Sequence, residues 1–408
     1  MCLESLKICF PITNHLKIMS EQTKPVQKSA FREWIDSIVF AVVAATLIRF
    51  FFFEAYTIPT PSMESSLMVG DFLFVSKLHY GVRTPQTPLQ VPLTHQKIWG
   101  TDIPSYLRWL DLPIKRLPGF SEVKQGDAVV FNVPNYLPDG DAPIDLRTYY
   151  IKRCIGTPGK TLEIRDTQVY IDGKPMENPK RMQHEYIVKV KDILTDEFFD
   201  KYDITNGVDA TGQTNTNWYE VQLTKSDSSI AGLHDYIVNT YAENIDEIKK
   251  LKTLVSAEIL KSPKGTPDGE DGGTNDASST PMSGKSYVWN KDNYGPLLIP
   301  KEGLTIQLDS QNVDKYKYVI KYYEGNKNVV IEGYKITVDG KTITSYTFKQ
   351  DYYFMMGDNR HHSADSRYWG FVPANHVVGK AVFVWMSLDP NKSWFSKIRW
   401  SRIFRFVE

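Results

Sequence analysis

Cysteine is close to absent from this 408-residue sequence. Cys2 and Cys9 precede an apolar run and Cys154 stands alone after it. A disulfide framework is therefore excluded from the main body, and cysteine usage does not report the redox compartment. Cys154 alternates with its neighbours in a strand-like run and reads as an inert buried thiol. Net charge is missing as well. The 48 basic residues balance the 48 acidic ones, so electrostatics give no reason to expect nucleic acid or another polyanion as partner. No HExxH helix is present, and the Asp268, Asp271 and Asp276 cluster fits no EF-hand loop and reads as solvated linker. What is plentiful is aromatic. The 23 tyrosines and 20 phenylalanines suit β-structure, and the length suggests two or three domains.

One segment is apolar enough to stand apart, residues 34–53, with an uninterrupted centre at 38–48. Twenty residues at about 1.5 Å each span roughly 30 Å, the thickness of a bilayer core. Trp34 and the Phe50-Phe51-Phe52-Phe53 block suit the interfaces, and Arg49 can extend its charge toward water. A cleaved signal peptide needs small residues at its end, but aromatics and Glu54 follow here. A buried core helix is the other alternative. The segment reads as a retained single-pass anchor at 34–54, with a cytoplasmic amino-terminal segment at 1–33 because basic residues precede it. Met19 opens a second start of its own, so no weight rests on Cys2 or Cys9.

Directly after this segment comes Tyr56-Thr57-Ile58-Pro59-Thr60-Pro61-Ser62-Met63. Seven residues separate Glu54 from Ser62 and reach about 25 Å even fully extended, which keeps Ser62 near the outer membrane surface. Pro59 and Pro61 fix φ and stiffen the stretch. Taken alone, Pro-x-Ser is most often a loop serine. Ninety positions on, Tyr149-Tyr150-Ile151-Lys152-Arg153-Cys154-Ile155 reads as a strand stopped by Gly156-Thr157-Pro158-Gly159. Lys152 there is either an edge charge or a buried amine. A free amine titrates near 10.4, burial lowers that by several units, and a neutral amine can activate a serine hydroxyl.

The remaining stretches are less specific. Residues 81–125 are rich in proline and aromatics and read as an extended loop. Its Trp109, Leu110, Leu112 and Phe120 either touch lipid headgroups or pack on the core. Val169-Tyr170-Ile171-Asp172-Gly173-Lys174 and Ile336-Thr337-Val338-Asp339-Gly340-Lys341 are two Asp-Gly hairpins. Residues 244–261 read as an amphipathic helix and 262–286 as a mobile linker. Near the carboxy terminus, Gly357-Asp358-Asn359-Arg360 ends an apolar strand in a polar turn. The cluster of Asp358, His361, His362 and Asp365 raises a metal site, but adjacent histidines would point apart on a strand. A loop held by Asp–Arg pairs such as Asp365 with Arg367 is the better reading. The basic, aromatic tail at 391–408 is either an interfacial helix or a packed or frayed terminus.

Taken together, these stretches resemble the bacterial type I signal peptidases. The resemblance is carried by Ile58-Pro59-Thr60-Pro61-Ser62-Met63 with Gly70-Asp71, by Gly126-Asp127-Ala128-Val129-Val130-Phe131, and by Tyr150-Ile151-Lys152-Arg153 with Gly156-x-Pro158-Gly159. It extends through Gly357-Asp358-Asn359-Arg360 to Ser363-x-Asp365-Ser366-Arg367-x-Trp369-Gly370. It implies a mainly β protein: an antiparallel catalytic domain in two halves (55–159 and 351–390), an amino-terminal membrane helix and a large inserted subdomain (160–350). It implies Ser62 as nucleophile and Lys152 as general base, with Ser363 orienting the lysine. Thr60 and the Ser62 backbone N–H would form the oxyanion hole, and Asp365 and Arg367 would brace the Ser363 loop. Ile58, Pro59, Met63, Tyr150 and Ile151 would line shallow pockets for small side chains of an extended substrate. The activity implied is removal of signal peptides from exported preproteins, without metal or cofactor, at the bacterial inner membrane. The catalytic domain would lie on the extracytoplasmic side, in functional proximity to the secretion machinery. His361-His362 departs from the family's Asp-Asn. Two rivals remain: a Ser–Lys protease dedicated to one regulatory or self-cleavage target, and a silent membrane-anchored scaffold.

Overall fold

The computed structural model describes residues 29–134, 142–221, 233–267, 287–394 and 396–407. By its contacts the chain falls into two units, Met1–Ala45 and Thr46–Glu408. Helix α1 runs over Ala30–Phe51 with no buried residue and is long and apolar enough to cross a membrane. It begins earlier than the apolar run, at Ser29, whose carbonyl accepts the N–H groups of Arg32 and Glu33. It stops at Phe51 because Phe53 already belongs to a strand.

The strands that build the site are, in chain order, β1 (Phe53–Thr57), β2 (Asp71–Ser76), β3 (Ala128–Asn132), β4 (Tyr149–Gly156), β5 (Gln183–Val190), β6 (Tyr352–Met356), β7 (Val372–Pro373), β8 (Val377–Ser387) and β9 (Arg405–Phe406). All but β5 form one sheet in the order β1-β2-β8-β3-β4-β6-β7, with β9 added to β8. Every pairing in it is antiparallel. Register shifts at Phe72/Leu73, Phe74/Val75, Val377/Gly379 and Phe354/Met355 increase its twist. β3 is buried along its whole length, as its run of Ala-Val-Val-Phe requires of a strand covered on both faces.

Between β4 and β6 two bodies of packing are present. Tyr186, Val188, Phe199, Tyr236, Val238 and Ile248 belong to a core of their own beneath a four-stranded sheet built on β5. Leu162, Val169, Leu297, Ile320 and Ile336 instead share one core with Ile155, Tyr352 and Phe354 of the main sheet. Both Asp-Gly hairpins form. Asp172 and Gly173 have φ of 50° and 76°, and Asp339 and Gly340 have 48° and 78°, the double positive φ of a type I′ turn.

Two expectations are corrected and one open alternative is resolved. The helix expected over 244–261 is short, Ala242–Ile248, and Leu254–Ile259 is a strand paired with β5. Its apolar residues are compatible with either period, and the free edge of β5 selects the strand. The linker expected at 262–286 is ordered at its start: Ser262 is buried, and Asn290 Nδ2 donates to the carbonyls of Pro263 and Thr266. Its remainder, with the Asp268, Asp271 and Asp276 cluster, lies outside the described residues, as do Cys2, Cys9 and Met19. Of the two readings of the tail, an interfacial helix or a packed or frayed terminus, the described residues follow the packed one. Trp400–Arg402 is a single turn and β9 is a strand, because Arg402 is drawn inward to Asp71 at 2.5 Å. In the 81–125 loop Trp109 and Phe120 are 77% and 82% exposed, so neither packs on the core.

Candidate active site

Ser62 is placed by proline chemistry and one helical turn. The Ile58 N–H donates to the carbonyl of Asp71 and its own carbonyl accepts from Gly70, continuing the β1–β2 ladder. Pro61 then begins a one-turn 3-10 helix, Pro61–Met63, at the position where its fixed φ suits a helix and its missing N–H costs nothing. Ser62 is 9% exposed.

Lys152 comes from β4, where it pairs with Val129 of β3. Its side chain crosses apolar surroundings and is 4% exposed as a residue. The buried-amine reading therefore holds over the edge-charge reading. Nζ lies 2.7 Å from Ser62 Oγ and donates to the Ile151 carbonyl at 3.0 Å. The Tyr150 ring centre is 5.4 Å away. Burial lowers the amine to about 8, against the opposing pull of the Asp365 and Asp358 charges. An amine titrating there is largely deprotonated in mildly alkaline solution, within hydrogen-bond reach of an alcohol: the geometry of general-base activation.

The carboxy-terminal stretch closes the site from the other side. Asp365 binds Arg367 through Oδ1 to Nε at 2.9 Å and Oδ2 to Nη2 at 2.8 Å, and Oδ2 also accepts the Gly357 N–H. Burial alone would raise the Asp365 carboxyl, but Arg367 and these hydrogen bonds hold it below its ordinary range. Gly357 is obligatory through close approach: a Cβ there would meet Ser363 Oγ and the Ser62 carbonyl. Ser363 is thus beside the nucleophile. The bond expected from it to Lys152 is not formed, and its buried Oγ has no partner among the described residues. The Nζ contacts go to Ser62 and Ile151 instead.

Of the expected pocket residues, Pro59 is exposed and Tyr150 and Ile151 are half-buried. Met63 is fully buried and Ile58 nearly so, both in a core cluster with Leu67 and Leu73, which leaves Met63 no surface to offer a substrate. Thr60 is exposed on extended backbone two residues before Ser62. Cys154 is buried and burial raises its thiol pKa, consistent with an inert side chain. The adjacent histidines do not point apart. Off any strand, they converge on Glu185. Among the described residues no group of three or more His, Cys, Asp or Glu is arranged to hold a metal ion.

One residue escaped the sequence reading of the site. The Asn359 N–H donates to the Ser62 carbonyl and Asn359 Nδ2 to the Pro61 carbonyl, both at 3.2 Å, so it clamps the nucleophile's backbone. Its place within Gly357-Asp358-Asn359-Arg360 was the available signal. Next to it, Asp358 binds Arg153 through two bonds of 2.7 and 2.6 Å, both side chains buried.

A mainly antiparallel β fold enclosing a buried serine–lysine contact of this kind is the architecture of a serine endopeptidase. The chain matches the family model described as signal peptidase, peptidase S26, over residues 31–222 and 300–386, and it belongs to that family. It is similar to Signal peptidase I of Buchnera aphidicola subsp. Acyrthosiphon pisum (strain APS), at 25% identity over 98% of this chain and 91% of the relative. Signal peptidase I of Haemophilus influenzae is 23% identical over 96% of this chain and 81% of its own length. That of Bacillus licheniformis is 30% identical over 40% of this chain and 61% of its own length.

Proposed function

We propose that this protein is a membrane-anchored endopeptidase that removes amino-terminal signal peptides from exported preproteins, with Ser62 as nucleophile and Lys152 as general base. The observation that carries the reading is the 2.7 Å contact between Ser62 Oγ and a Lys152 amine whose burial brings it to about 8. Neutral Nζ takes the hydroxyl proton as Oγ attacks the scissile carbonyl. The tetrahedral oxyanion is held by the Ser62 N–H and the Thr60 hydroxyl, donors of a kind worth about 3–4 kcal/mol in the transition state. The ammonium then protonates the leaving amine and the C–N bond breaks, leaving an acyl-enzyme on Ser62. Water, deprotonated by the regenerated amine, releases the signal peptide. Ser363 would orient the ammonium in the charged steps, turning from its present unpaired position. The chain segments 55–159 and 351–390 form the catalytic domain and 160–350 the insertion. Helix α1 anchors the protein in the bacterial inner membrane, amino terminus in the cytoplasm. Eight positions after Glu54, Ser62 then lies where the cleavage site of a translocated preprotein emerges, in proximity to the secretion machinery.

The test is cleavage of a panel of preproteins by the detergent-solubilised full chain. Ser62→Ala and Lys152→Ala should both abolish processing of every member while remaining folded, as shown by a cooperative melting transition. Retained cleavage by Lys152→Ala refutes the dyad. Cleavage of a single panel member assigns the protein to one dedicated target.

A further inference from the structure

The loop that bears Ser363 is gripped by residues far from it in sequence. Glu185, near the start of β5, faces two adjacent histidines of that loop. Its Oε2 is 3.4 Å from His361 Nδ1 and its Oε1 is 3.0 Å from His362 Nε2. His361 Nδ1 also accepts the Glu185 backbone N–H at 3.1 Å. Its proton therefore sits on Nε2, which donates to Asp292 Oδ1 at 3.1 Å. Asp292 is itself fixed by the Ser262 N–H at 2.8 Å. The backbone of Gln183 brackets the same loop, donating to the Asp358 carbonyl and accepting from the Arg360 N–H. Its side chain donates to Ser65. Arg367 Nη1 donates to the Lys291 carbonyl at 3.2 Å.

These contacts come from positions 183–185 and 262–292, outside the core of the motif. Their target is the loop whose Asn359 holds the Ser62 and Pro61 carbonyls and whose Asp365 bears on the Lys152 amine. The charged and titratable groups facing the two rings are Glu185 and His184 from β5, Asp292, and Glu64 after the nucleophile, with Arg360 and Arg367 of the loop acting on His184 behind them. The His361 side chain has no exposed surface, so this pairing is not a solvated surface contact.

We propose that Asp292, acting through His361, and Glu185, acting through its carboxylate on His362 and its backbone N–H on His361, are positioning residues for peptide hydrolysis: the insertion holds the Ser363 loop, and through it the nucleophile's backbone and the dry environment of Lys152. The proposal rests on the Ser62–Lys152 reading. An amide in place of either carboxylate removes its charge while keeping its volume. The loop then shifts, and catalysis falls because misplacement of about 1 Å can cost on the order of 100-fold.

The experiment measures steady-state cleavage of one peptide substrate by the full chain, with kcat referred to the folded fraction. The variants are Glu185→Gln, Asp292→Asn and the more exposed His362→Asn, with Ser62→Ala and Lys152→Ala alongside. The expected result is a fall in kcat of about 10- to 100-fold for Glu185→Gln and Asp292→Asn with KM little changed. The acid limb of kcat/KM should also move to higher pH, because water admitted beside Lys152 relieves its desolvation. Wild-type kcat and pH profile in both amide variants, with Lys152→Ala inactive, overturn the proposal and leave the dyad standing. Activity in Lys152→Ala overturns the dyad itself. If either amide variant does not fold, His362→Asn decides, since it removes one Glu185 contact: an unchanged kcat and pH profile overturn the proposal.

Discussion

Lys152→Met should lose at least about a thousandfold in kcat/KM, the upper range for removal of a positioned general base, yet fold more stably than the wild type at pH 7. Methionine preserves the length and apolar stem of the side chain but cannot accept the Ser62 proton. The stability change follows from the amine's pKa, lowered from its ordinary 10.5 to about 8 chiefly by burial. The folded protein binds this proton more weakly than the unfolded chain does. Below about pH 8 the protonated amine is fully penalised by burial. The penalty shrinks as pH rises from there to 10.5 and is gone above it. It amounts to about 3 kcal/mol near neutrality. Methionine carries no such penalty, while Ser62 Oγ loses its partner at about 1 kcal/mol. The net gain is about 2 kcal/mol, visible as a rise of a few degrees in the melting midpoint at pH 7 and absent at pH 11. A variant that is inactive because it is unfolded gives the opposite shift, so activity and melting together separate lost chemistry from lost structure.

Asp358→Ala is expected to produce the largest loss of stability, about 3–5 kcal/mol, out of a total of roughly 5–15 for a folded chain. Asp358 has no exposed side-chain surface and Arg153 is 7% exposed, joined by two short bonds. Removing the carboxylate strips the buried guanidinium of its two short charge-assisted bonds, the Gly126 carbonyl being among the contacts it keeps, and breaking one side of a buried pair costs more than the pair contributed. Chemical denaturation in detergent measures it. Asp102→Ala is the control, since its pair with Lys97 is solvent-exposed on both sides, and surface pairs contribute little. A midpoint for Asp358→Ala equal to that of the control contradicts the account. Asp358 also adjoins Asn359, so the partly destabilised enzyme should lose activity before it unfolds.

What was legible in the sequence was the local chemistry. The apolar run, the prolines flanking Ser62, the apolar setting of Lys152 and the Asp365–Arg367 pair each carry their reason within a few residues. The Asp-Gly hairpins were legible because two consecutive positive φ angles admit few residue types. What failed depended on distant partners. Leu254–Ile259 is a strand because β5 offers an edge. Arg402 folds the tail inward because Asp71 lies across the sheet. His361 and His362 are held where they are because Glu185 and Asp292 reach them from positions far away in the sequence. The Ser363 hydroxyl makes no bond to Lys152, whose amine contacts Ser62 and the Ile151 carbonyl, an arrangement set by three distant segments. Asn359 was visible in the motif, but its grip on the Ser62 carbonyl depends on contact between segments nearly 300 positions apart (298 for the Asn359 to Pro61 bond).

The central claim is that burial against the serine lowers the Lys152 amine to about 8, so that it gives up its proton more than two pH units before a lysine in water does. Its most direct test is titration of the Lys152 amine by NMR in the full chain, with lysine labelled at Cε and Lys152→Met used to assign the signal. The account predicts a midpoint near pH 8, shared by the rise in kcat/KM with pH. A midpoint near 10.4, the value of a lysine in water, with activity already full at pH 7, would contradict it.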